Sequence, residues 1–162
     1  MNNLQKAAND ILRYLFAEYL KGPAVVYSIS PITRKYDINP VELSDYLLEN
    51  GLIRERWIYP GDGISCRITI KGIEEVNPAY VREKLRQLVG GLGQSGGSKE
   101  LLEILTYKLE EYSISLDLVK QLETLGLVKI RHPQGSILVE LTVEGWRYYE
   151  KGSRSFFTLM SY

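Results

Sequence analysis

The sequence predicts an α+β protein, mainly α-helical with small β-hairpins, that is built from two tandem units. A segment occurs twice: Gly51-Leu52-Ile53 precedes Ile68-Thr69-Ile70-Lys71-Gly72, and Gly126-Leu127-Val128 precedes Leu141-Thr142-Val143-Glu144-Gly145. The offset is 126 − 51 = 75 residues at the first glycine and 145 − 72 = 73 at the last. Each copy follows a stretch whose leucines recur at helical spacing. A helix, a glycine stop, two β-runs around a turn and a new helix are therefore predicted in both halves.

Length and composition are those of an ordinary globular protein. The 162 residues are 44% hydrophobic and 25% charged, and a chain of this length buries roughly 70% of its unfolded surface without a disulfide or a metal. The single cysteine, Cys66, excludes an internal disulfide and fits a reducing cytoplasm. No apolar run approaches the ~20 residues that span a bilayer, and the N-terminus lacks the pattern of a signal peptide. We therefore expect a cytoplasmic protein with no membrane partner.

Charge is balanced along the chain. Twenty basic residues match twenty acidic ones; residues 1–79 carry nine basic and ten acidic side chains, and residues 80–162 carry eleven and ten. Strong nonspecific binding to phosphates usually needs a basic surface, because the affinity comes largely from counterion release. Any nucleic-acid function must therefore depend on a local patch of positive charge.

The first unit is predicted to cover residues 1–77. Apolar side chains at three- and four-residue steps over residues 4–20 predict an amphipathic first helix. Asn39 followed by Pro40 marks the start of the third helix, because proline is tolerated at the first helical position, and Gly51 ends it. In order, the predicted elements are a helix over 4–20, a β-run over 24–29, a brief helix over 31–36, a helix over 40–50, a hairpin formed by 53–59 and 65–70, and a short helix over 71–76.

The second unit is predicted to cover residues 78–152. Its glycine-rich segment, residues 90–97, is interpreted as a flexible connector. In order, the predicted elements are a helix over 79–89, a helix over 99–109 capped by Ser98, a turn near 112–114, a helix over 116–125 capped by Ser115, a hairpin formed by 128–131 and 137–141, and a closing helix over 143–150.

Residues 153–162 form an apolar C-terminal tail. The tail contains Phe156, Phe157, Leu159 and Met160, and it is too apolar for a free terminus. A terminus of this kind usually docks on a folded surface. Two alternatives stay open: the tail packs on its own chain, or it crosses to a second copy and forms a symmetric homodimer.

The order of elements resembles the winged helix-turn-helix superfamily, and the resemblance covers nearly the whole chain. Leu47 and Leu122 each lie four residues before the glycine that ends a helix, and they look like the inward face of the third helix. In many proteins of this superfamily the third helix enters the DNA major groove and the hairpin, or wing, contacts the backbone. The resemblance is specific for fold and weak for function, because one fold hosts unrelated activities.

By this resemblance, the outward positions of each third helix would read bases. In the first unit they include Glu42, Asp45 and Glu49, whose carboxylates would be repelled by phosphates. In the second unit Lys120 and Gln121 are able to contact a base edge. The leading hypothesis is therefore a DNA-binding regulator that uses its wings and the second unit's third helix. The residues predicted to bind double-stranded DNA are Arg34, Lys35, Arg54, Arg56, Arg67, Lys120, Gln121, Lys129, Arg131 and His132.

Two other interpretations of these residues stay open. Scattered basic side chains are often ordinary solvated faces. The alternative function is a non-enzymatic protein-interaction or scaffold module on the same fold. The acidic positions favour it, and so do the aromatic side chains of the first wing, which would form a contact patch if they point outward. The predicted partner-binding residues are Glu42, Asp45, Glu49, Trp57 and Tyr59.

No enzyme chemistry is predicted. Gly91, Gly93 and Gly96 form a Gly-x-Gly-x-x-Gly match, but a helix is predicted before it and no βαβ pattern surrounds it. His132 is the only histidine, and one histidine with one cysteine makes no credible zinc site. Cys66 alternates with polar neighbours in a predicted strand and is interpreted as a buried structural thiol. We expect no catalytic residue, no metal and no cofactor.

Overall fold

A computed structural model describes residues 2–22, 26–61, 63–106 and 112–160. The protein is α+β, mostly helical with two small antiparallel sheets, as predicted. The chain divides into two compact units, Met1–Val81 and Arg82–Tyr162. The division falls inside a helix that begins at Pro78, whereas the sequence suggests a boundary after residue 77.

The first unit contains four helices and three strands within the described residues. The strand order is β1-β3-β2, and both pairings are antiparallel. The β-run predicted over 24–29 is a two-residue strand, and residues 24 and 25 lie outside the described part of the chain. The elements are α1 (Asn3–Lys21), β1 (Tyr27–Ser28), α2 (Ser30–Thr33), α3 (Pro40–Glu49), β2 (Ile53–Tyr59), β3 (Gly63–Ile68) and α4 (Ile70–Val76).

Side-chain caps fix where the helices of the first unit begin. The Asn2 side chain accepts a hydrogen bond from the Gln5 N–H at 2.8 Å, and the Gln5 side-chain oxygen accepts one from the Asn2 N–H at 3.2 Å, which completes a capping box. The predicted cap at Asn39 is confirmed, since its Oδ1 accepts from the Val41 N–H at 2.8 Å. The core behind these helices is formed by buried residues of α1, α3, β3 and α4: Ile11, Leu12, Leu15, Leu43, Leu47, Ile64, Cys66, Ile68 and Ile73.

The second unit repeats this order when α5 is counted as its first helix. Its strand order is β4-β6-β5, again with antiparallel pairs. The turn between β5 and β6 is a short 3₁₀ segment, Pro133–Gly135. The elements are α5 (Pro78–Gln94), β4 (Ser98–Glu100), α6 (Leu101–Thr106), α7 (Tyr112–Thr124), β5 (Val128–Arg131), β6 (Leu138–Leu141) and α8 (Val143–Met160).

In both units a threonine after the hairpin forms the same two hydrogen bonds. Its hydroxyl bonds to the glycine before the hairpin and to the helix that follows. In the first unit the Thr69 hydroxyl donates to the Gly51 carbonyl at 2.6 Å and accepts from the Gly72 N–H at 3.1 Å. In the second unit the Thr142 hydroxyl donates to the Gly126 carbonyl at 2.6 Å and accepts from the next helix at 3.0 Å. The repeated segment of the sequence is therefore also a repeated structure.

The interpretation of residues 90–97 as a flexible connector is wrong. Helix α5 continues to Gln94, and the glycines make room for rings of α8. A Cβ on Gly93 would lie 2.6 Å from the Tyr149 ring, and a Cβ on Gly97 would lie 2.5 Å from the Trp146 ring. Because no other residue leaves that space, the glycines are packing positions.

The helix predicted over 99–109 also begins later than expected. Ser98 does not cap it; residues 98–100 pair with β6 in the register Ser98–Glu140 and Glu100–Leu138. Strand pairing thus decides the local structure here, as tertiary context often overrides local preference. The predicted turn near 112–114 is part of α7, and residues 107–111 lie outside the described chain.

Helix α8 (Val143–Met160) is longer than the closing helix predicted over 143–150 and continues into the predicted tail. The two proposed ways of docking Phe156, Phe157, Leu159 and Met160 concern side chains outside the described residues, so both stay predictions. None of the helices in the described ranges combines the length and the hydropathy that a membrane span requires.

Two alanine substitutions in α5 are expected to have opposite signs. Gly90→Ala places a methyl group in open space, so it should raise the free energy of unfolding by about 0.5–1 kcal/mol through helix propensity. Gly93→Ala should lower it by about 1–3 kcal/mol through overpacking against Tyr149. Urea unfolding followed by circular dichroism measures both. A stabilising Gly93→Ala would show that Tyr149 does not occupy this space.

Candidate interaction surfaces

The arginines of the first wing are engaged within their own unit. Arg56 Nη1 donates to Asp45 Oδ1 and, at 3.1 Å, to Ser44 Oγ, which ties β2 to α3. Arg67 Nε lies 2.8 Å from Glu55 Oε2. Two of the cations predicted to bind DNA are therefore neutralised, and so is one carboxylate of the predicted partner surface.

A β-bulge explains this arrangement. Arg54 pairs with Arg67 and Trp57 pairs with Ser65, so Glu55 and Arg56 together face the single residue between those partners. Glu55 adopts a left-handed conformation with φ of 54°. Uniform alternation would have placed Arg56 opposite Ser65; the bulge gives that position to Trp57.

The other predicted cations of the first unit differ in exposure. Arg34 and Lys35 are exposed at the end of α2, whereas Arg54 is half-buried beside Arg67 on the hairpin. Their role in DNA binding stays a prediction.

The tip of the first wing exposes three consecutive large apolar side chains. Trp57, Ile58 and Tyr59 have 58%, 52% and 51% of their surfaces exposed. They lie on β2, which is an edge strand of its sheet. Glu42 and Glu49 are exposed on α3. Sequence reasoning identified Trp57 and Tyr59 but not Ile58, because strict alternation predicts that Ile58 points inward.

Three of the second unit's predicted DNA-binding cations differ from Arg56 and Arg67 in their partners. Lys120 on α7, Lys129 on β5 and His132 in the turn are exposed, and none of them forms an ion pair within residues 2–22, 26–61, 63–106 and 112–160. Arg131 lies on the same hairpin with its Nη1 3.4 Å from Glu140 Oε2. Gln121 is half-buried, and its Oε1 has no hydrogen-bond partner among the described residues.

A cleft in the first unit is the feature that sequence reasoning missed. It lies between α1, α3 and α4 and has a volume of about 490 Å³. The spacing of Lys71 and Glu75, which puts opposite charges on one face of a short helix, was the available signal. The lining residues are Gln5, Ala8, Asn9, Leu12, Tyr46, Asn50, Leu52, Lys71 and Glu75.

The titratable groups give no sign of a nucleophile or a metal centre in the described ranges. Cys66 is buried, as predicted, and desolvation raises the pKa of its thiol to about 12. It is therefore protonated at neutral pH. The described residues contain no group of three or more His, Cys, Asp or Glu side chains that could hold a metal ion.

Comparison with known proteins finds no matching family but finds a weakly similar transcriptional regulator among solved structures. No protein-family model matches the sequence, and no curated protein matches it. One similar solved structure is the crystal structure of an organohalide-sensing transcriptional regulator, RdhR, in its 2,4-dichlorophenol-bound form. That similarity has a TM-score of 0.43 and 13% sequence identity, and it covers 56% of this chain and 63% of that one. The aligned part is thus less than two thirds of the regulator's length, and the similarity is too low to support a functional argument.

Proposed function

We propose that the chain is a non-enzymatic tandem winged-helix protein that binds duplex DNA through its second unit, in the manner of a transcriptional regulator. Three features support the winged-helix assignment. The order helix, strand, helix, helix, strand, strand, helix occurs twice, and both sheets have the same strand order. In both units a threonine after the hairpin donates a hydrogen bond to the glycine carbonyl before it.

The observation that carries the DNA proposal is the different state of two arginines on the first wing and two lysines on α7 and β5. In the first unit Arg56 and Arg67 are held by Asp45 and Glu55. In the second, Lys120 and Lys129 are exposed without an ion pair to any described residue. Free cations can release counterions from DNA, whereas neutralised ones first have to lose a partner.

Each element of the second unit has a role in this proposal. Helix α7 enters the major groove with Lys120 at its exposed face, and the turn between β5 and β6 follows the backbone with Lys129 and His132. Arg131 joins them by exchanging Glu140 for a phosphate, because exposed ion pairs of this kind are weak. Arg34 and Lys35 of the first unit are secondary contacts at most.

Fluorescence anisotropy with a random duplex tests the proposal. Binding through about three phosphate contacts should weaken on the order of 40-fold between 50 and 200 mM salt, since the logarithm of affinity falls by about 0.9 per contact for each tenfold increase in salt. Lys120→Ala and Lys129→Ala should each reduce that slope by about one contact. Lys6→Ala, an exposed change on α1, is the control. Absence of binding at low salt removes the proposal, and slopes unchanged by both second-unit variants place the contacts elsewhere.

A second function, protein recognition by the first unit, is favoured by the exposed tip of its wing. Tryptophan and tyrosine are typical anchors of protein interfaces, and Trp57, Ile58 and Tyr59 are exposed together. The arginines nearby are already neutralised, so the surface suits an apolar contact. This function would be supported if the wild-type protein captures a partner, if Trp57→Ala abolishes the capture, and if salt does not weaken it. Capture that persists with Trp57→Ala would count against it.

A further inference from the structure

We propose that the cleft between α1, α3 and α4 binds a small zwitterion with an apolar side chain, of the size of an apolar amino acid or a dipeptide. The proposal concerns the first unit alone and does not depend on DNA binding by the second. Volumes of about 300–1,000 Å³ are usual for small-molecule sites, and this cleft has about 490 Å³.

The cleft has an apolar floor. Ala8 and Leu12 of α1 and Leu52, which follows α3, line it and are buried. Because these side chains are nearly covered already, they offer only a small apolar surface, which suits one short aliphatic side chain.

The rim of the cleft carries one cation and one anion that have no described partner. Lys71 and Glu75 lie one turn apart on α4 and are both exposed, and neither forms an ion pair or hydrogen bond with another described residue. The pair has lysine N-terminal to glutamate, the less favourable order for an i,i+4 contact. The ammonium of Lys71 can therefore bind a ligand carboxylate, and the carboxylate of Glu75 can bind a ligand ammonium.

The side chain of Lys71 lies beside the end of α3. A Cβ on Gly51 would lie 3.8 Å from Lys71 Cδ, so the stem of the lysine passes over the glycine that ends this helix. Neutral polar groups complete the rim. Tyr46 lies on the last turn of α3, and Asn50 directly follows that helix. The Asn50 side-chain nitrogen donates to the Tyr46 carbonyl at 2.8 Å, and the Asn50 Oδ1 and the Tyr46 hydroxyl have no described partner.

The two charges select against ligands that carry one sign alone. A bound monoanion would be repelled by the nearby carboxylate of Glu75, and a bound monocation would be repelled by the ammonium of Lys71. A zwitterion satisfies both, and hydrogen bonds to charged groups are the stronger class. The ligand would also bridge three helices of the unit, so binding should raise its stability by mass action.

Titration calorimetry with L-leucine and its two single-charge analogues tests the proposal. 4-Methylpentanoate lacks the ammonium and 3-methylbutylamine lacks the carboxylate. Leucine should bind with a Kd about tenfold or more below either analogue, since losing one charge-assisted hydrogen bond has an effect of that size. Equal affinities for the three compounds, or no saturable binding by any of them, would overturn the proposal.

Substitutions on the surface of α4 locate the site without unfolding the protein. Lys71→Met keeps the stem and Glu75→Gln keeps the shape, and both side chains are exposed. Each should raise the Kd for leucine about tenfold. Glu74→Gln, an exposed change next to Glu75 that does not line the cleft, should leave it unchanged. The same Kd in Lys71→Met and the wild-type protein rules the cleft out, whatever the DNA assay shows.

Discussion

Gly72→Ala is expected to lower the free energy of unfolding of the first unit by about 3 kcal/mol, the upper end of the usual cost of overpacking. A Cβ at this position would lie 2.3 Å from the Leu52 carbonyl oxygen and 2.8 Å from Ile68 Cγ1. The carbonyl cannot move away easily, because it accepts the Thr69 N–H at 3.1 Å. The backbone itself therefore has to shift.

Gly145→Ala should have the same effect in the second unit. Its Cβ would lie 2.0 Å from the Leu127 carbonyl oxygen, which accepts the Thr142 N–H at 3.0 Å. Gly152→Ala, in the same helix and with open space around it, is the control and should be neutral or stabilising. Urea unfolding followed by circular dichroism gives the values. Losses below about 1 kcal/mol for Gly72→Ala and Gly145→Ala would mean that these close approaches do not exist.

Leu47→Ala and Leu122→Ala are each expected to cost about 2–5 kcal/mol, as for other large-to-small changes in cores. Both side chains have 0% of their surface exposed. Each lies four residues before the glycine that follows its helix, so one structural role is tested twice. The measurement is again the free energy of unfolding in urea.

Neighbouring leucines provide matched controls. Leu48 follows Leu47 on α3 and is 38% exposed, and Leu125 is 56% exposed just after α7. Leu48→Ala and Leu125→Ala should cost less than about 1 kcal/mol, because surface substitutions remove little buried area. Equal losses for Leu47→Ala and Leu48→Ala would contradict the predicted inward face of α3.

The parts of the fold that were predictable depend on local signals. Leu47 and Leu122 are buried as their spacing indicates, Asn39 caps α3, and the hairpins of both units occur near their predicted positions. Helical periodicity, capping residues and turn residues act over a few positions, so one sequence is enough to read them.

The parts that were missed depend on contacts between distant residues. Gly93 and Gly97 look like linker residues until Tyr149 and Trp146 of α8 are placed against them. Residues 98–100 carry a plausible helix cap, and only their pairing with β6 makes them a strand. Local composition does not indicate which ring or strand will pack against a segment when that ring or strand lies about 40 to 60 residues later in the chain.

The candidate surfaces also combine features that the local sequence predicts with features that depend on distant contacts. Counting charges identified the basic positions of the first wing, but the bulge at Glu55 and the resulting contact between Arg56 and Asp45 are products of the folded hairpin. The cleft is likewise assembled from three helices, so neither Lys71 nor Glu75 identifies it alone.

Backbone NMR of the labelled protein titrated with a duplex distinguishes DNA binding by the second unit from binding by the first. We predict chemical-shift changes centred on Lys120 of α7 and on Lys129 and His132, with α3 unchanged. Shifts centred on α3 and the Trp57–Tyr59 tip, with the second unit unaffected, would contradict it.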